Sequence, residues 1–154
     1  MAYYPFDIAT GFWEALLRQH DKRRVFSIDR IKKELLEGGD RLEQWVKETA
    51  PASFFKRTAD HAVIDRFKKM VEWVSNEVQY SDDAKAEFAN VADGWLIAYA
   101  KANNFVVVTH EVHKPKIQWK VPIPNLCLAF KVEYMNTFDM LRELNVTLVL
   151  GKRG

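Results

Sequence analysis

Apolar positions recur with the 3.6-residue period of a helix through the first two thirds of the chain. Phe12, Trp13, Leu16 and Leu17 fall on one such face. After the apolar pair Val25-Phe26, Ser27 predicts an N-cap for a helix whose buried face is Ile28, Ile31, Leu35 and Leu36, stopped by Gly38-Gly39. Asp40, with Glu43 three residues on, has the capping-box spacing. Leu42, Trp45 and Val46 then supply the face of a further short helix that Pro51 closes. Val63, Phe67, Met70, Val71, Val74 and Val78 step by three and four and predict a long helix between Ala59 and Gln79. Ser81-Asp82-Asp83 predicts the next N-cap, opening a helical pair that runs to Ala102.

The pattern then changes. Phe105-Val106-Val107-Val108-Thr109 is a continuous, mostly β-branched run, which predicts a strand covered on both faces in a parallel sheet. A loop rich in His, Lys and Pro follows, from His110 to Pro124. Next come a short helix over Leu126 to Phe130, a strand over Val132 to Met135, and a helix capped by Thr137 that carries Met140, Leu141 and Leu144. Val146 to Leu150 reads as a last strand. Helices first, then strand alternating with helix, predict an α/β layered fold. Without an internal repeat or a linker-like stretch, 1–154 is read as a single domain.

Composition narrows the class rather than the activity. The 154 residues are 48% hydrophobic and 29% charged, enough to bury a core and unlike a disordered tail. No apolar run approaches the roughly 20 residues of a membrane span. The start, Met1-Ala2-Tyr3-Tyr4-Pro5-Phe6-Asp7, has neither the basic nor the apolar region of a secretory signal, so a cytoplasmic location is expected. A lone cysteine, Cys127, excludes an intrachain disulfide and a multi-cysteine zinc site. The net charge of +2 is too balanced to announce nucleic-acid binding by itself.

Several signals carry little chemistry. His110-Glu111-Val112-His113 has its histidines three apart where the helical metalloprotease motif needs four, and reads as two surface histidines in a loop. Cys127 sits in an apolar context and reads as a small core residue. There is no Gly-rich phosphate loop and no Ser-His-Asp arrangement. Lys22-Arg23-Arg24 and Lys32-Lys33 read as solvated surface. Three acids stand out. Asp93 opens an otherwise apolar helix, where a carboxylate must be a cap, a buried paired group or a metal ligand. Glu111 follows the carboxyl end of the Val-rich strand, where open α/β sheets place ligand sites. Glu34 lies beside the apolar face of its helix. Ordinary duties account for all three as well: caps for Asp93 and Glu111, half of a surface ion pair for Glu34.

Taken in order, the segments resemble the PIN-like domain superfamily, and within it a prokaryotic family known only as a domain of unknown function. The resemblance runs from Tyr3-Tyr4-Pro5-Phe6-Asp7-Ile8 and Gly11-Phe12-Trp13 through Phe26-Ser27-Ile28, Glu34-Leu35-Leu36, and Asp40, Leu42 and Trp45. It continues with Ala92-Asp93, Trp95 to Ala100, Val106 to Glu111, Ile123-Pro124, Cys127 and Asn136 to Leu141. It implies a three-layer α/β/α fold with a mostly parallel sheet. It also implies a metal-dependent endoribonuclease, often the toxin of a toxin-antitoxin pair, with Glu34, Asp93 and Glu111 as catalytic acids holding Mg²⁺ or Mn²⁺. Phosphodiester hydrolysis by a metal-activated water calls for such hard oxygen ligands. Lys114, Lys116 and Lys120 would hold substrate phosphates, and the implied partners are RNA and an antitoxin protein, with no membrane.

The resembling family begins with an apolar central strand ending in an Asp, ahead of the Tyr-Tyr-Pro-Phe segment. This sequence starts at that segment, so the expectation is a sheet without its first strand and a site without its first acid. Three consequences are expected: convergence of the three remaining acids, weak metal binding with slow or absent RNA cleavage, and a gap filled by Val146 to Leu150 or by a second copy in a homodimer. The alternatives are a catalytically dead PIN-like module that binds RNA or a protein partner, and a purely structural interaction domain.

Overall fold

The computed structural model describes residues 10–38 and 41–145. Eight helices and four two-residue strands follow one another among them: α1 (Thr10–Asp21), β1 (Ser27–Ile28), α2 (Asp29–Glu37), α3 (Arg41–Glu48), β2 (Phe55–Lys56), α4 (His61–Asn76), α5 (Asp82–Asn90), α6 (Asp93–Asn103), β3 (Val107–Val108), α7 (Ile123–Phe130), β4 (Tyr134–Met135) and α8 (Thr137–Glu143). The strands form two parallel pairs, β1 with β2 and β3 with β4. Ser27 faces Phe55 in the first pair, and Val107 faces Tyr134 in the second. The described residues therefore form a mostly helical α/β fold with short parallel strands.

Two hydrophobic clusters organise the packing. One gathers Phe12, Trp13, Trp45, Val46, Phe54 and Phe55 from α1, α3 and the turn into β2. The other is larger and is centred on Val63, Met70, Val74, Ile97, Ala98, Leu126 and Cys127, with Val107 beneath them. Helix α4 packs along α6 at its heart. The Trp95 ring lies between the Phe67 ring, stacked at 3.8 Å, and the Arg30 guanidinium, 3.7 Å from its centroid. Arg30 belongs to α2, so this stack ties the two clusters together. Phe26 stacks on Phe105 at 5.8 Å and makes a second tie.

Ser81 caps α5 as the sequence predicts, its Oγ accepting from the Ala84 N–H at 3.1 Å. Thr137 is not the cap of α8. That residue is Asn136, whose Oδ1 accepts from the Asp139 N–H. Ser27 likewise does not cap α2; it lies in β1, and Ile28 precedes the helix with no side-chain cap. The chain is extended there because α2 begins from a strand end, with Asp29 accepting from both the N–H and the hydroxyl of Thr58. The long helix is trimmed to His61–Asn76, leaving Val78 exposed beyond its end.

The Val-rich run corrects a further expectation. It is not covered on both faces, because Val107 is buried while Phe105 and Val106 are 42% and 40% exposed. Only Val107 and Val108 pair with a neighbour strand, and Phe105, partly open to solvent, packs on the Phe26 and Tyr99 rings. The strand expected over Val132 to Met135 contracts to its last two residues, because Lys131 turns left-handed at φ 57°. The helix expected from Leu126 starts at Ile123, where Pro124 suits the first turn. Asp40, the segment Tyr3 to Ile8 and the strand expected over Val146 to Leu150 lie outside the described residues.

Candidate active site

Asp93 is the first residue of α6, and Ala92 before it makes no side-chain cap. Gly94 allows this helix start to lie flat on its neighbours: a Cβ there would come within 2.7 Å of the Phe88 ring and 3.0 Å of the Phe67 ring. The Asp93 carboxyl is half-buried by this packing. Burial pushes its pKa up, and the carboxylates of Glu111 and Glu34 push it further, while the Lys120 ammonium pulls it down.

Glu34 reaches the same place from α2. Its Oε1 accepts from the Ala92 N–H at 2.9 Å across a separation of 58 residues. The bond satisfies, from another helix, the N–H of the residue that opens α6, the group a capping-box carboxylate takes.

Glu111 arrives from the loop after β3, its N–H donating to Thr109 Oγ1. Its Oε2 accepts from the Ile123 N–H at 2.7 Å, so it caps the start of α7. Its Oε1 takes the Lys120 ammonium at 2.6 Å. That hydrogen bond, against an opposing burial effect and with help from the Glu111 and Asp93 charges, raises the Lys120 pKa and keeps the ammonium charged. The Cys127 thiol is driven up to about 12, by burial first and the Glu111 charge second. It is buried and protonated, in keeping with a core residue rather than a nucleophile.

Two carboxylates from distant parts of the sequence, Glu111 and Glu34, thus act on Asp93, opposed by the Lys120 ammonium. Among the described residues no group of three His, Cys, Asp or Glu side chains stands in an arrangement that could itself hold a metal ion. A shallow cleft of about 500 Å³ beside Val106, Leu128 and Tyr134 contains none of the three acids.

The family-wide pattern of a domain of unknown function, DUF4411, matches residues 1–148. The chain belongs to the DUF4411 family. No curated protein and no solved structure matches it.

In this DUF4411 chain the acids singled out from sequence stand on α2, on α6 and after β3, and the charges of Glu34 and Glu111 act on Asp93. The lysines divide. Lys120 is paired with Glu111, whereas the Lys114 and Lys116 side chains are exposed. Of the loop histidines, His110 is anchored by Thr137 Oγ1, 2.9 Å from its Nε2. Sequence reasoning missed Arg30, which ties α2 to α6 by covering the Trp95 ring and donates to the Thr58 hydroxyl. It also missed Asn125, which holds the loop. Asn125 signals itself only as a polar residue inside the apolar stretch Ile123 to Phe130. No helical motif in the chain (described residues) is long and apolar enough to cross a membrane.

Proposed function

We propose that this DUF4411 chain is a divalent-metal-dependent phosphodiesterase that cuts RNA, built as a PIN-like three-layer α/β/α domain. The charges that Glu111 and Glu34 bring to bear on the half-buried Asp93 carboxyl carry the proposal. A half-buried carboxyl pressed by two other carboxylates is an anion-rich place short of positive charge. Parallel strands set among helices support the architecture.

Hard oxygen donors suit Mg²⁺ or Mn²⁺, and Mg²⁺ keeps much of its water shell and takes few carboxylates. In this reading Asp93 and Glu34 would hold the ion, with Glu111 beside it. Such an ion would neutralise phosphate charge and acidify a bound water. The chain's own part is positional. Glu34 fixes the entry of α6 and so the place of Asp93, while Lys120 and the Ile123 N–H fix the Glu111 carboxylate. Lys114 and Lys116, free of ion pairs among the described residues, would take substrate phosphates.

One observation favours a second reading. Both Glu111 oxygens are already satisfied within the chain, which suits a module that binds RNA without cutting it. Cleavage of a labelled RNA with Mg²⁺ or Mn²⁺, with EDTA, and with Asp93→Asn decides between them. The nuclease reading expects cleavage that EDTA stops and Asp93→Asn lowers by about 100-fold or more. Cleavage indifferent to both overturns it, and RNA binding with no cleavage selects the second reading. A toxin role, with an antitoxin as partner, expects growth arrest on expression that Asp93→Asn relieves.

A further inference from the structure

The loop from Thr109 to Pro122 joins β3 to α7 and is tied down at several points. The buried Asn125 accepts from the Lys114 N–H at 2.9 Å and donates to the Lys114 carbonyl at 2.9 Å. Its side chain is fixed in turn by the Tyr80 hydroxyl. The Gln79 side chain donates to the Ile117 carbonyl, and the Ser81 N–H donates to the Gln118 carbonyl, both at 2.8 Å. Lys120 is held by Glu111, and Val121 and Pro122 are buried.

Between the anchored Gln118 and Lys120 stands Trp119, 69% exposed. The other tryptophans, Trp13, Trp45, Trp73 and Trp95, are buried or half-buried. A large apolar ring held toward water on a fixed backbone loses little freedom when something covers it. The charge of the loop indicates what that is. Lys114, Lys116 and Lys120 share it with one acid, Glu111, whose oxygens are turned to Lys120 and Ile123. A π-face on a lysine-bearing loop, with the local carboxylate already occupied, complements a stacked base and its phosphates.

We propose that Trp119 is a stacking platform for an unpaired base, and that the ligand of this loop is single-stranded RNA held by Lys114 and Lys116. The proposal rests on the reading of the neighbouring acids as an RNA-processing site and names the form of RNA presented to them. Base stacking needs a base freed from its duplex, so the preference is for single strands over duplex.

The test uses the full chain in EDTA, where metal-dependent cleavage is silent, and a fluorescein-labelled 12-nucleotide oligouridine read by anisotropy. Trp119→Ala is expected to weaken binding by about 5- to 150-fold, the range for one base–aromatic stack, with Trp119→Phe retaining most of the affinity. Unlabelled oligomer should quench the tryptophan fluorescence of the wild type and leave that of Trp119→Phe unchanged. A 12-base-pair RNA duplex should bind more weakly and be nearly indifferent to Trp119→Ala. Oligouridine affinity within twofold of wild type in Trp119→Ala overturns the proposal, and is the result expected if the ring serves a protein partner instead. Trp119-dependent binding without metal-dependent cleavage keeps the platform and removes the nuclease reading. Cleavage with Trp119-independent binding does the reverse, and a wild type that neither binds nor cuts RNA overturns both.

Discussion

Asp93 and Glu34 both serve the start of α6 yet have separable duties. Burial, Glu111 and Glu34 raise the Asp93 pKa in the folded chain above its unfolded value, so folding favours the protonated form. Its contribution to stability is present below the ordinary carboxylate range and is lost as pH rises through the raised value. Asparagine imitates the neutral form. Asp93→Asn should therefore melt above the wild type at pH 7.5 in EDTA, and the gap should close below about pH 4. An equal or lower melting temperature at pH 7.5 would show that the carboxylate is paid for elsewhere. Glu34 acts through its oxygen as well as its charge. Glu34→Ala leaves the Ala92 N–H without its acceptor and should cost about 1 kcal/mol, whereas Glu34→Gln keeps a carbonyl oxygen there and should melt close to wild type. If the proposed ion binds, Mg²⁺ should raise the wild-type melting temperature, and both variants should lose most of that rise because both lose the charge. Retention of that rise in Glu34→Gln would make Glu34 a cap and nothing more.

Helix α6 is the element on which the site depends, and Gly94 sets how closely it packs. Alanine at that position usually favours a helix by up to about 1 kcal/mol, but here its methyl meets the Phe88 and Phe67 rings at 2.7 and 3.0 Å. Overpacking of about 1–3 kcal/mol outweighs the gain. Gly94→Ala should lower the melting temperature and, where Asp93 holds the proposed ion, weaken stabilisation by Mg²⁺; a more stable variant would show that the rings swing aside freely. The sequence carried the helices well where a period or a cap marked them: α1 and α4 fall where Phe12, Val63 and Met70 place them, and α5 opens at the Ser81 cap. The strands were legible as places and not as lengths, since a β-branched run records propensity but not whether a second layer covers it, and Val106 is exposed. The acids could be singled out by their odd surroundings. Their connections could not: that Glu34 meets Ala92, or that Lys120 and the Ile123 N–H meet Glu111, depends on tertiary contacts that no spacing encodes. Arg30 was hidden for the same reason, looking like any surface cation of an amphipathic helix while its guanidinium covers Trp95.

At the scale of the whole molecule, the acids lie on a seam. Glu34 is carried on α2, whose Leu35 and Leu36 pack against the cluster of Trp13, Trp45 and Phe54, whereas Asp93 and Glu111 extend from the cluster built on α4, α6 and α7. The seam is bridged by the Glu34–Ala92 hydrogen bond, the Arg30–Trp95 stack and the Phe26–Phe105 stack. Opening there exposes the smaller cluster while leaving the larger one packed, so amides of α1 to α3 should exchange with solvent at a lower free energy than those of α4 and α6. Arg30→Ala removes a cation–π contact of about 1 kcal/mol and the bond to Thr58 without touching an acid. It should therefore speed exchange in α1 to α3 specifically. An ion held between Asp93 and Glu34 would bridge the same seam, so Mg²⁺ should slow exchange in α1 to α3 of the wild type and have no such effect in Asp93→Asn. Hydrogen exchange followed by mass spectrometry, with Mg²⁺ and with EDTA, reads both effects. Uniform exchange across the two clusters would show a single cooperative unit, and Mg²⁺ protection that persists in Asp93→Asn would place the ion away from this seam.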